Sequence, residues 1–164
     1  MSSGLAALTL FHVALSLIGI LAGFVVVFAL LSAKQSNGWT ATFLITTAAT
    51  SVTGFLFPFH KLLPSHILGI ISLLVLAVTI PALYVFHLAG PWRRTFAIGS
   101  VIAFYLNVFV LVAQCFMKIP ALKVLAPTQS EPPFLATQVA VMLIFIVLGV
   151  LAAKRFPAQA IRAT

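Results

Sequence analysis

Two histidines, His12 and His66, stand inside long apolar runs of this chain, each followed by small residues at helical spacing. Two neutral imidazoles on facing helices are the ligand set of a six-coordinate haem iron, and Gly19, Gly69 and Ser72 are small enough to make room for a flat macrocycle. A second set of groups is polar and neutral. Thr50 and Thr53 close a hydroxyl-rich run, and Ser100, Asn107 and Gln114 follow one another at seven-residue steps, which is one stripe of a helix. Inside hydrocarbon such groups need partners, so they either join helices or wall a pocket for a small solute. Other chemistries lack their residues. With Glu131 as the only acid there is no acid pair, no Ser-His-Asp set and no H-x-x-E-H cluster, and no glycine-rich phosphate loop occurs.

The elements that must position these groups follow from composition. Of 164 residues, 63 % are hydrophobic and 6 % are charged, against about 25 % charged in an average soluble domain. Nine Lys/Arg and one Glu cannot cover a water-soluble globule of this size, so lipid is the expected solvent. A net charge of +8 would suit a nucleic acid only if the cations shared a tract or a face. Instead they fall at the edges of apolar runs, as expected when a charge at a helix centre costs about 2.5–3.5 kcal/mol. No nucleic-acid partner is expected. The single cysteine, Cys115, can form no internal disulfide.

Five runs reach the roughly 20 residues needed to cross a hydrocarbon core of about 30 Å: 5–33, 40–59, 65–89, 95–117 and 134–153. They do not alternate as barrel strands would, so the expected fold is all-α. It is an integral membrane bundle of five transmembrane helices forming one domain over residues 1–164. The first run reads as a retained span, because residues 1–11 carry no Lys or Arg and the run is too long for a secretory leader. Basic residues orient the bundle. With the N-terminus outside, the cytoplasmic side collects Lys34, Arg93, Arg94, Lys154, Arg155 and Arg162, and the outer side collects Lys61, Lys118 and Lys123. The C-terminus is then cytoplasmic. In a bacterium the location is the plasma (inner) membrane. Residues 118–133 form a proline-punctuated outer loop that contains Glu131. A shift of 54 residues places His12 on His66 and Thr53 on Asn107, so spans 1–2 and 3–4 read as a hairpin pseudo-repeat followed by a fifth helix.

Helical spacing then sorts the polar residues. His12, Ser16, Gly19 and Gly23 share a narrow stripe that must face protein. The threonines of the second span are suited to bond back to carbonyls three or four residues earlier. Pro58 is expected to bend that span, Ser65 to cap the third, and Pro81 to kink it. His87, beside Tyr84, reads as a wet interfacial histidine. Together these assignments place a polar pocket in the outer half, built from His12, His66, Thr50, Thr53, Asn107 and Gln114.

Three function classes fit. The first is a small non-catalytic membrane subunit or binding module, alone in the bilayer, as a homo-oligomer or within a larger membrane complex. The second follows from the histidines: the outline resembles small haem b membrane bundles with bis-histidine ligation. That resemblance implies haem b as cofactor and His12 and His66 as its ligands. One histidine pair stands here where the cytochrome b561 type has two, which leaves a transmembrane electron path incomplete. The third is a carrier or pore for a small neutral solute.

Overall fold

The computed structural model describes residues 3–57 and 64–156, and within them every regular element is a helix. The elements are α1 (Ser3–Leu31), α2 (Asn37–Gly54), α3 (Pro64–Tyr84), α4 (Trp92–Lys118), α5 (Pro120–Leu125) and α6 (Pro132–Arg155). Four of them, α1, α3, α4 and α6, are long and apolar enough to cross a membrane, which makes this an integral membrane bundle. The helix α2 falls outside that group because Thr and Ser recur through it from Thr40 to Thr53.

Helix ends differ from the runs read off the sequence, and each difference has a local cause. The first helix stops at Leu31, short of 33, because Ala33 takes a left-handed φ of 56°. The Lys34 and Ala33 amides then bond back to the Ala29 and Leu30 carbonyls, the Schellman arrangement. The third helix continues through Pro81 but ends at Tyr84, not 89, since His87 and Leu88 both adopt positive φ. The Phe86 ring stacks on Trp92 at 3.9 Å and fixes that turn. The second helix ends at Gly54, and Pro58, Lys61 and Arg162 lie outside the described residues. Residues 118–133, expected as loop throughout, contain α5, with Pro120 at a first-turn position where its missing N–H costs nothing.

Helix α4 is the centre of the bundle and packs against α1, α3, α5 and α6. It reaches its neighbours closely through small residues. A methyl group on Gly23 of α1 would run into the Phe104 ring, and one on Gly99 of α4 would overlap the Thr79 hydroxyl of α3. The core between these helices is dominated by Phe43, Phe96 and Phe104, with Leu30 and Leu44. By contrast α6 is peripheral, with 11 % of its most apolar stretch buried against 39 % in α4.

Helices α1 and α2 form an antiparallel pair. His12 meets Thr53 and Gly54, while Gly19, seven residues on, meets Thr46 and Thr47, six or seven residues back. Helix α2 therefore shares the depth of α1 over at least two turns. Chain direction brings the start of α1, the end of α2, the start of α3 and the end of α4 to one end of the bundle.

A polar cavity between the first four helices

At that end a cavity of about 410 Å³ opens between α1, α2, α3 and α4. His12, Thr50, His66, Asn107 and Gln114 all line it, and Thr53 stands behind His12 as its hydrogen-bond partner. Of the six residues expected to form one pocket, five border this space and Thr53 does not. Ser16, Ser51 and Ser72 add hydroxyls, Leu17, Leu106 and Val110 add apolar wall, and Lys118 lies at the rim.

The local chemistry of His12 is fixed by its neighbours. Its Nδ1 lies 2.9 Å from Thr53 Oγ1. The Thr53 hydroxyl has a carbonyl to donate to, Ala49 O at 2.8 Å, with Thr50 O at 3.2 Å. Its proton is therefore committed, and the oxygen is left to accept from His12 Nδ1–H. Nε2 is then the unprotonated nitrogen, and it takes no protein hydrogen bond among the described residues. The Phe57 ring meets the imidazole edge-on at 5.3 Å. His66 is buried at 5 % exposure, with the Phe55 ring 5.7 Å away.

Most hydroxyls of α2 do bond backwards, as the sequence suggests. Thr42, Thr46 and Ser51 donate to Gly38, Thr42 and Thr47 carbonyls at 2.7–3.0 Å. Thr40, Thr47 and Thr50 do not; Thr50 lines the cavity, and its Oγ1 is buried with no hydrogen-bond partner. An unpaired buried hydroxyl costs about 1–3 kcal/mol, which a ligand supplying one hydrogen bond would recover.

Two links across helices were only partly legible. Asn107 Nδ2 donates to Thr47 Oγ1 at 3.0 Å, tying α4 to α2, and the Ser51 hydroxyl lies 3.1 Å from that of Ser72 on α3. An amide at mid-span announces a partner, but which of the α2 hydroxyls it reaches is set by how the helices cross. Gln138 of α6 escaped notice in the sequence altogether. It is buried and donates to the Phe109 carbonyl at 3.1 Å, and the signal for it was a lone amide one turn inside an apolar helix.

The three small residues expected beside the histidines all meet neighbours. Side chains of Thr46, Thr47 and Asn107 close on Gly19, the Phe55 ring would lie 3.3 Å from a methyl on Gly69, and Ser72 is joined to Ser51. Gly69 and Ser72 also line the cavity, together with His12 and His66. Among the described residues no group of three or more His, Cys, Asp or Glu side chains gathers as a metal site. The chain matches no protein family, no curated protein and no solved structure.

Proposed function

We propose that the protein is a non-catalytic membrane binding module that holds a small, neutral, amphipathic molecule in the cavity between α1, α2, α3 and α4. The observation that carries this reading is the cavity itself, where His12, Ser16 and Gln114 stand beside Leu17, Leu106 and Val110 and His12 Nε2 takes no protein hydrogen bond among the described residues. The ligand would have a hydrogen-bond donor for His12 Nε2, a polar group for Thr50, and an apolar body against Leu17, Leu106 and Val110. Charge is disfavoured because the lining carries no acid and its one fixed cation, Lys118, is at the rim. Native mass spectrometry on protein extracted with its surrounding lipid tests this. A small adduct is expected on the wild type and absent from Ser16→Phe, which fills the cavity. A wild type that carries no adduct, in preparations where Ser16→Phe is equally well folded, overturns the reading.

The same reading takes α2 as a fifth crossing and the N-terminus as outside. Support comes from the shared depth of α1 and α2 and from the basic residues: Lys34, Arg93, Arg94, Lys154 and Arg155 belong to one end, Lys118 and Lys123 to the other. The cavity then lies in the outer half of the membrane.

A second reading, a subunit of a homo-oligomer or of a larger membrane complex, is favoured by α6. Its outward face, from Leu135 through Leu143 and Ile146 to Val150, is exposed and apolar. Size-exclusion chromatography with light scattering in mild detergent separates the two: a monodisperse single chain, with no stoichiometric partner, removes this second reading.

A further inference from the structure

A second concavity, about 640 Å³, runs along the seam of α4 and α6 on the far side of the bundle from the polar cavity. Its walls are apolar, with Ile98, Ile102 and Tyr105 from α4 and Ile146, Gly149 and Val150 from α6. One end is different. There Arg94 and Lys154 border it, both exposed, and among the described residues neither has an ion-pair partner.

These two cations differ from their neighbours. Arg93 lies over the Phe156 ring, 5.7 Å from its centre, and does not border the trough. The only acidic side chain of the chain, Glu131, sits at the start of α6, the opposite end of the helix from Lys154. Its carboxylate is already engaged by the Thr128 and Ser130 amides and the Thr128 hydroxyl. Among the described residues no carboxylate is at hand to neutralise Arg94 and Lys154.

The depth of the trough also discriminates. From Arg94 to Tyr105 is eleven residues, or about 16 Å of helix at 1.5 Å per residue. That is close to half of a hydrocarbon core of about 30 Å, the depth of one leaflet. Beyond it the seam is closed, by the Gln138 side chain on the Phe109 carbonyl and by the Phe116 ring against Phe134 at 5.4 Å. A transmembrane partner helix needs a seam that is open from end to end; a single acyl chain needs one leaflet of it.

We propose that this trough is a binding site for one anionic glycerophospholipid, with the phosphate between Arg94 and Lys154 and an acyl chain lying along the seam past Gly149. Basic residues beside an apolar cleft at the membrane surface are the recognised requirement for such a headgroup. Gly149 is part of the fit, because a side chain there would project into the trough and shorten it.

The test uses purified full-length protein in mild detergent, with phosphatidylglycerol and phosphatidylcholine added in equal amounts and bound lipid counted by native mass spectrometry. One phosphatidylglycerol per chain is expected, preferred over phosphatidylcholine. Arg94→Gln and Lys154→Gln should each weaken its retention about fivefold and the pair about thirtyfold, the scale of one surface cation per lipid charge. Gly149→Leu should lower retention of both lipids with no change in charge. Lys118→Gln with Lys123→Gln, at the other end, should leave retention unchanged. Equal retention of the two lipids, or equal losses from the two ends, would overturn the proposal. So would a dimer that buries the trough. Helicity and melting of each variant, read by circular dichroism, separate lost binding from lost fold.

Discussion

At His12 a single hydroxyl decides which nitrogen is left without a protein partner. Because Thr53 accepts from Nδ1, removing it with Thr53→Val should free the ring to exchange tautomers. In ¹⁵N-histidine spectra the His12 signals, assigned by their loss in His12→Ala, should show a protonated Nδ1 and a bare Nε2 in the wild type and an average of the two in the variant; unchanged signals would remove Thr53 from this role. The Asn107–Thr47 bond is a different kind of residue effect, one of cohesion. Hydrogen bonds between membrane helices average about 0.6 kcal/mol and reach about 1.7 kcal/mol, so Asn107→Leu should lower unfolding stability within that range, measured in mixed detergent. Gly23→Leu should do more damage, because its side chain must displace Phe104 from a filled core, and overpacking of that kind typically costs about 1–3 kcal/mol.

At the scale of elements, the turn between α5 and α6 is built by Glu131. Partial desolvation pushes its carboxyl up, but the hydrogen bonds from Thr128 and Ser130 outweigh that and hold it below the ordinary carboxylate value. A folded-state value that is lowered stabilises the turn at pH above the ordinary value, and this contribution disappears as pH falls through the lowered one. Amide protection at Thr128 and Ser130 should therefore be retained at neutral pH and lost in acid, and Glu131→Gln should abolish the pH dependence. In the sequence Pro120 reads as loop punctuation, and α5 was not anticipated because six residues are too few to show a period. Helix ends were legible only to within a few residues. A left-handed Ala33 or His87 carries no signal of its own, and tertiary contacts select it.

For the whole molecule the decisive question is the parity of crossings. Five crossings put the termini on opposite sides of the membrane, whereas four, with α2 not crossing, put them on the same side. Single cysteines on a Cys115→Ser background settle it: Lys118→Cys should react with an impermeant maleimide on intact cells, and Lys34→Cys only after permeabilisation. Equal reactivity at both positions would sink the five-crossing arrangement, and reversed reactivity the orientation.

Taken by itself, the sequence determined the class of solvent and the class of element: ten formal charges in 164 residues leave no choice but lipid, and long non-alternating apolar runs no choice but helices. Residue spacing also picked out the polar groups that line the cavity, because a polar side chain in hydrocarbon is conspicuous against its background. Tertiary structure alone decided what those groups do. Which side chains meet Gly19 and Gly69 depends on the helix that lies across them, here Thr46 and Asn107 for the first and Phe55 for the second. The lipid-sized trough beside Arg94 and Lys154 was equally invisible. Two helices that are not consecutive in sequence, α4 and α6, make it, and apolar periodicity is the same whether a face meets protein, lipid tail or open space.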